Sequence, residues 1–219
     1  KNSFYGCTSL TDIIIPNSVT GIGDSSFEKC TNLNEIEVPM GVLSIGVRAF
    51  AECKNLENII ISDSVKNIGG FAFTDTKWYD NQQNGIVYAG RVCYHLKGDT
   101  FEDTYIIKEG TVSISDYAFN CSGIKNIILP NSLISIGEYA FNYCKLINVT
   151  IPENVKYIEK GAFNCCGAIL EVTILNPSCI IQDDLYESAF DSGTRIRGYK
   201  NSTAQAYAEK NNCTFIPLD

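Results

Sequence analysis

Ten cysteines, one histidine and a short acidic stretch are the residues of this chain that could serve a reaction or a metal. No two cysteines form a Cys-x-x-Cys pair, and a zinc site usually takes paired ligands from one loop. His95 has no Gly-x-Ser-x-Gly, phosphate-binding loop or recognisable triad beside it. Asp183, Asp184 and Glu187 lack the ligand spacing of an EF-hand loop. We therefore expect no catalytic residue, no metal site and no cofactor, and interpret His95 as a hairpin surface residue and the acidic stretch as a solvated turn.

Most of the cysteines recur at one position of an internal repeat. One thiol per repeat is typical of a small buried hydrophobic residue, so we expect these thiols to be free and in the core. A bridge between Cys179 and Cys213, which lie outside this column, stays open as an alternative because sequence does not fix connectivity. The column contains Cys7, Cys30, Cys53, Cys121, Cys144 and either Cys165 or Cys166.

The repeat that places these cysteines is marked by phenylalanine. Phenylalanine stands at positions 4, 27, 50 and 73, an interval of 23 residues, and again at 119, 141 and 163, an interval of 22. Self-similarity at a fixed period of this length predicts a solenoid, because no single coil can bury its apolar face alone and each coil covers the next.

Within one coil the apolar pattern predicts a single short strand. Leu10, Ile13 and Ile15 end in a strand's alternation, and Pro16, which cannot donate to a ladder, stops it. Stacked coils would place these strands about 4.8 Å apart in a parallel sheet along one face. The segment Ser18 to Gly23 then turns the chain back, and glycine recurs there where a side chain is disfavoured, at Gly23, Gly46, Gly69 and Gly137.

Two stretches depart from the repeat. Ile86 to Tyr88 and Val92 to Tyr94 flank a turn that contains Gly90, which predicts a β-hairpin in place of one coil. Near the end, Ser202 to Gln205 matches a capping box and starts a helix with an apolar stripe of Ala204, Tyr207 and Ala208. We interpret this helix as part of a cap that covers the last coil.

The chain is therefore predicted to be one solenoid domain over residues 1–219. Regular coils occupy 1–73, the irregular hairpin coil 74–104, further coils 105–190 and the C-terminal cap 191–219. Lys1 follows no basic and apolar leader and the chain begins inside a repeat, so we expect it to be part of a longer protein.

Composition narrows the function classes. With 17 basic and 25 acidic residues the net charge is -8, which argues against a nucleic-acid partner because phosphate backbones need clustered Lys and Arg. The chain is 45% hydrophobic, yet no run approaches the roughly 18 apolar residues of a membrane span, so we expect no membrane insertion.

Several units together resemble a known family. Segments such as AFNYCKLINVTIPENVKYIEKGAF, WYDNQQNGIVYAG and GYKNSTAQAYAEKNN are similar to the BspA-type leucine-rich repeats of surface proteins from gut and oral anaerobes, and the resemblance covers essentially the whole chain. It implies a right-handed leucine-rich-repeat superhelix, a cell-surface location, and an exposed binding or adhesion module. No asparagine follows the strand, so an asparagine ladder is not carried over.

The inward pattern of the strands also identifies residues that should point outward on the sheet face. Exposed apolar side chains there often mark a partner site, although β-branched residues also simply suit strands. These candidate partner-binding residues are Asp12, Ile14, Glu35, Glu37, Asn58, Ile60, Asn126, Ile128, Asn148 and Thr150.

Aromatic residues of the hairpin form a second candidate surface: Trp78, Tyr79, Tyr88 and Tyr94. They could bind a sugar or a peptide, or could dock the hairpin onto the solenoid. Three function classes follow: a module that binds a protein partner, a passive spacer in a larger surface protein, and a carbohydrate-binding module.

Overall fold

The protein, described by a computed structural model, is defined over residues 1–98, 102, 104–166, 171–183 and 187–219. These residues form two compact units, Lys1–Lys97 and Gly98–Asp219, called unit 1 and unit 2 below. Each unit is a stack of coils of the predicted leucine-rich-repeat type, built mainly from short parallel strands.

Unit 1 contains seven strands and one short helix. In chain order they are β1 (Gly21–Ile22), β2 (Glu35–Val38), β3 (Ser44–Ile45), β4 (Asn58–Ile61), β5 (Asn67–Ile68), α1 (Lys77–Asp80), β6 (Gly85–Ala89) and β7 (Val92–Lys97).

Unit 2 contains the remaining strands and the longer helix. They are β8 (Tyr105–Ile106), β9 (Ser113–Ile114), β10 (Ile127–Ile128), β11 (Ser135–Ile136), β12 (Asn148–Ile151), β13 (Tyr157–Ile158), β14 (Glu171–Ile174), β15 (Ile180–Ile181), β16 (Arg195–Gly198), α2 (Thr203–Lys210) and β17 (Thr214–Pro217).

A regular coil contributes strands to two parallel sheets. The predicted strands pair as β2 with β4 in unit 1, and as β8 with β10 and β12 with β14, β16 and β17 in unit 2. The segment expected only to turn the chain back adds a second two-residue strand, so that β1, β3 and β5 form another parallel sheet, as do β9, β11, β13 and β15.

The first coil is an exception to the strand prediction. Residues 10–15 form no regular strand, although the Asn34 N–H of the second coil donates to the Thr11 carbonyl of the first coil at 3.2 Å. The inward pattern persists without the strand, since Leu10, Ile13 and Ile15 pack against the core of unit 1.

A ladder of stacked phenylalanines forms the centre of unit 1. Ring centroids are 5.0 Å apart from Phe4 to Phe27, 5.2 Å from Phe27 to Phe50 and 5.7 Å from Phe50 to Phe73. The backbone N–H groups of Phe4, Phe27 and Phe50 each donate to a carbonyl of the next coil, as from Phe50 to Ala72 at 2.8 Å. The ladder is therefore held by both ring stacking and backbone hydrogen bonds.

The hairpin closes this ladder. Strands β6 and β7 pair antiparallel, as predicted, and Gly90 adopts a φ of 60° in the turn. The Tyr94 ring lies edge-on to Phe73 at 5.3 Å, and its hydroxyl accepts a hydrogen bond from the Phe73 N–H at 2.9 Å. Tyr94 thus supplies both the aromatic contact and the acceptor that a further regular coil would have supplied.

Unit 2 repeats the same arrangement with a helical cap. Phe119, Phe141, Phe163 and Phe190 stack at 5.0 to 5.2 Å, and Tyr207 of α2 lies edge-on to Phe190 at 5.7 Å. Its hydroxyl accepts from the Phe190 N–H at 3.2 Å. The cap predicted for the end of the chain is therefore present, and its function in the ladder matches that of Tyr94.

The helix of this cap starts as the sequence predicts. The Ser202 side chain accepts from the Gln205 N–H, while the Gln205 amide oxygen accepts from the Asn201 N–H, one residue earlier than in the usual capping box. The predicted apolar stripe of α2 is buried: Ala204, Tyr207 and Ala208.

The recurring glycine lies where neighbouring backbones come close. A Cβ atom on Gly46 would lie 2.5 Å from the Asp24 nitrogen, and one on Gly69 would lie 2.5 Å from the Val47 nitrogen. The steric reason expected for this glycine position is therefore present in the structure.

Residues two before and two after the ladder phenylalanine adopt left-handed backbone conformations. Around Phe50 these are Arg48, with a φ of 54°, and Glu52, with a φ of 60°. Such conformations are unfavourable for residues with a side chain, so tertiary contacts must hold them. The Arg48 guanidinium does so in part by binding the Glu28 carboxylate at 2.7 Å and the Glu52 carboxylate at 3.1 Å.

The cysteine column lies in the core except in the first coil, where Cys7 is exposed, and one residue was wrongly assigned to it. The thiols of four buried cysteines donate to phenylalanine carbonyls of the preceding coil at 3.0 to 3.2 Å: Cys30, Cys53, Cys144 and Cys166. Cys121 was wrongly assigned to the column, because it is exposed and Ser122 contacts Cys144 in its place. Cys179 and Cys213 are both free thiols, so the alternative of a bridge between them is not realised.

Candidate functional site

Outward residues of the first three coils line a groove of about 750 Å³ in unit 1. The predicted sheet-face residues of this unit all contribute to it, and we call this surface the unit 1 groove: Asp12, Ile14, Glu35, Glu37, Asn58 and Ile60.

Strand alternation positions these side chains. In β2, Ile36 and Val38 are buried while Glu35 and Glu37 are exposed. The parallel register sets Glu35 opposite Asn58 and Glu37 opposite Ile60. A one-residue slip would bury both carboxylates, so the buried face fixes the exposed one.

Two isoleucines give the unit 1 groove an apolar surface. Ile14 is 92% exposed and Ile60 is 64% exposed. Their outward orientation agrees with the sequence pattern, and such exposure of large aliphatic side chains is a common feature of partner sites.

The charge of the unit 1 groove is uniformly negative. Asp12, Glu35 and Glu37 are its ionisable residues, and no Lys, Arg or His lines it. Among the described residues none of these three carboxylates forms a salt bridge. Within that part of the chain, their charges thus have no directly paired cation.

In unit 2 the predicted face residues lie on β12 or on and beside β10. Asn148 and Thr150 are exposed on β12, and Ile128 is exposed on β10 next to a half-buried Asn126. Ile106 was missed as a face residue, although β8 places it directly opposite Ile128. The alternation of Tyr105-Ile106-Ile107 could have identified it.

Two arginines of β16 were also missed. Arg195 and Arg197 extend the face of unit 2, and both reach Glu171 of the neighbouring strand β14, at 3.0 and 3.6 Å. The alternation of Arg195-Ile196-Arg197 is the sequence signal that could have placed them outward. In unit 2, unlike the unit 1 groove, the face carboxylate is thus paired with cations.

The hairpin aromatics dock onto the core of unit 1. Tyr94 is only 4% exposed, which corrects its candidacy as a surface residue, and Trp78 packs against Phe73 with ring centroids 5.0 Å apart. Tyr79 and Tyr88 are half-buried. The docking alternative of the sequence interpretation therefore describes this cluster, and it leaves little open aromatic surface.

His95 is held within the same cluster. The Tyr79 hydroxyl lies 2.7 Å from its Nδ1, and burial lowers the pKa of the imidazole. It is half-buried, so its interpretation as an ordinary surface residue was wrong. Packing of the hairpin accounts for its position.

The acidic stretch is tied to the C-terminal cap. Asp183 accepts from Lys210 at 3.0 Å and from Asn211 at 2.8 Å, and Glu187 pairs with Lys160 at 3.6 Å. Asp184 lies outside the described residues. Asp183 is thus a structural contact of α2 and not a solvated side chain, which corrects the earlier interpretation.

Neither a metal centre nor a membrane span occurs among the described residues. No cluster of His, Cys, Asp or Glu in that part of the chain could hold a metal ion. Neither helix there has the length and apolar character needed to cross a bilayer.

Several solved structures are similar to this chain. A leucine-rich cell surface protein from Faecalibacterium prausnitzii is 20% identical over 98% of this chain and 68% of its own, with a TM-score of 0.38. A leucine-rich repeat protein from T. pallidum is 26% identical over 72% of this chain and 67% of its own, with a TM-score of 0.36. One from Bacteroides ovatus is 18% identical over 99% of this chain and 80% of its own, with a TM-score of 0.38.

The family assignment comes from the sequence itself. No curated protein matches the chain. Residues 1–86 and 94–211 match the BspA type leucine rich repeat region in six copies, which is most of the sequence. The chain therefore belongs to the BspA-type leucine-rich repeat family.

Proposed function

We propose that this chain is a non-catalytic binding or adhesion module, exposed at the cell surface, that recognises a protein partner through the sheet face of its coils. The observation that carries the proposal is the unit 1 groove, where two exposed isoleucines lie beside three carboxylates that form no salt bridge among the described residues. A repeat scaffold offers such an extended face without a catalytic constellation. Membership of a family that includes cell-surface proteins supports the proposed location.

The test separates binding from folding in one variant. Ile60→Lys should weaken binding to a partner protein, while the free energy of unfolding changes by no more than about 0.5 to 1 kcal/mol, because the side chain faces solvent. Leu43→Lys is the matched control, since Leu43 is exposed in unit 1 but does not line the groove. Purified surface proteins and a glycan array are the probes.

Each alternative predicts a different result. If Trp78→Ala abolishes binding and Ile60→Lys does not, the site belongs to the hairpin, and binding to the glycan array would then identify a carbohydrate module. A chain that binds neither proteins nor glycans would be a spacer. Unfolding caused by Ile60→Lys would show that the face assignment is wrong.

A further inference from the structure

We infer that the unit 1 groove binds a basic, extended protein segment, with a Lys or Arg side chain seated among Asp12, Glu35 and Glu37. This inference rests on the proposed function and specifies the chemistry of the partner at that site. Its basis is the contrast between the two units together with the arrangement of the groove side chains.

The contrast concerns how each unit treats carboxylates on the same face. In unit 2, Glu171 is satisfied by Arg195 and Arg197 from the adjacent strand. The unit 1 groove holds three carboxylates and no cation among its lining residues. Like charges that are close together repel, so a partner cation would relieve this repulsion as well as forming new ion pairs.

The spacing of the carboxylates suits a single flexible cation. Glu35 and Glu37 leave the same strand two residues apart, which is roughly 7 Å along β2. Asp12 lies one 23-residue coil before Glu35, and successive coils are about 4.8 Å apart. A guanidinium or ammonium group placed over these positions can reach all three carboxylates.

The aliphatic residues of the groove favour a cation on a long hydrocarbon stem. Ile60 lies opposite Glu37 in the register of β2 and β4, and Ile14 occupies the equivalent repeat position one coil before Glu37. Lys and Arg bury their methylene stems on apolar surface while the charged head stays among polar groups. Both halves of such a side chain thus have a surface in the groove.

The same geometry disfavours a bare metal ion. Ca²⁺ binds six to eight oxygen ligands at about 2.3 to 2.6 Å, whereas the described residues contain no cluster of acidic, His or Cys side chains able to hold a metal. Asn58 adds an exposed amide that can both donate and accept hydrogen bonds. An extended backbone presents the matching groups, which favours a protein segment over a small cation.

The probe for this inference is a short peptide that alternates valine and lysine, with matched peptides that carry glutamine or glutamate in place of lysine. Binding to the full chain is measured by fluorescence anisotropy. The lysine peptide should bind at least about tenfold more tightly than the glutamine peptide and should weaken as NaCl rises from about 50 to about 500 mM. The glutamate peptide should not bind.

Charge variants then localise the site. Glu35→Gln together with Glu37→Gln should weaken lysine-peptide binding by about tenfold, and Glu37→Gln alone by about three- to fivefold. Asp63→Asn is the control, because Asp63 is an exposed acid of unit 1 outside the groove lining, and it should leave binding unchanged. The single variant serves as the test if the double variant is misfolded by circular dichroism.

The outcomes distinguish this inference from the function on which it rests. A partner protein whose binding is lost with Ile60→Lys but unchanged by the charge variants would overturn the cationic segment and leave the proposed function standing. If neither Ile60→Lys nor the charge variants weaken binding, the binding site lies elsewhere, and both the inference and the proposed function are overturned. Spermine that displaces the lysine peptide at equal concentration would also overturn the inference, because it would show a site for any polycation.

Discussion

Replacing Phe50 with alanine should lower the free energy of unfolding by about 4 to 5 kcal/mol. Phe50 is fully buried, and truncation of a buried phenylalanine typically costs about 3 to 5 kcal/mol. The ring also stacks on Phe27 and Phe73, at 5.2 and 5.7 Å, and each aromatic pair adds about 0.5 to 1.5 kcal/mol beyond burial. Losing two such pairs places the expected value in the upper half of the range.

Urea unfolding followed by circular dichroism measures this loss, and Phe4→Ala provides the control within the same ladder. Phe4 is 37% exposed and stacks on Phe27 alone, at 5.0 Å. Its replacement should therefore cost roughly half as much or less. If urea unfolding shows more than one transition, the two variants are compared on the transition that Phe50→Ala shifts.

Two results would refute the reasoning. A loss below about 1 kcal/mol at Phe50 would mean that its side chain does not lie in the core and that the inward register is wrong. Equal losses at Phe4 and Phe50 would mean that ring stacking and burial along the ladder do not determine stability.

Three further predictions concern the thiols, the hairpin cap and the close backbone contact. In the native protein an alkylating reagent should not reach Cys53, because the thiol is buried and burial raises its pKa to about 12. The thiols that should react are the exposed ones, Cys7, Cys121 and Cys165. Mass spectrometry that finds Cys53 alkylated or linked to Cys30 would contradict the prediction of buried free thiols. Tyr94→Phe should lower the free energy of unfolding in urea by about 1 to 2 kcal/mol, because the Phe73 N–H loses its buried acceptor. An unchanged urea midpoint would mean that this hydrogen bond does not stabilise the fold. Gly69→Ala should lower stability by about 1 to 3 kcal/mol, since its Cβ would overlap backbone atoms, and calorimetry showing no change in melting temperature would mean that the coils can separate to admit it.

The core and the exposed face were predictable because they follow from periodicity. A strict interval between phenylalanines requires equivalent rings in successive coils, and the structure stacks them. Alternation in β2 then decides which side chains face outward, since Ile36 and Val38 must be buried. Periodicity and alternation do not predict the partner of that face, because an exposed isoleucine has the same sequence signature whether or not it binds.

Other features have no local signal in the sequence. The two-residue strands of the second sheet are too short to show a period, and Arg48 and Glu52 give no hint, as glycine would, of their left-handed backbones. Cys121 differs from these, because its spacing was a signal that the prediction overlooked: it follows Phe119 by two residues, whereas Cys144 follows Phe141 by three. Tyr94 resembled a surface aromatic because its burial depends on which coil it covers.

The backbone hydrogen bonds between coils also bear on how the length of such a chain can change. Phe27 donates to Ala49 and Phe50 donates to Ala72 through the same pair of atoms, at the same 2.8 Å. Deleting one whole period between Phe27 and Phe50 therefore leaves each remaining coil facing a neighbour with equivalent donors, acceptors and ring. Removing half a period would instead place non-equivalent residues against the phenylalanine ladder. The repeat thus makes each stack tolerant of gain or loss in whole coils and intolerant of fractions. The tyrosine that follows the last phenylalanine of each unit, Tyr94 or Tyr207, would still close whatever number of coils precedes it.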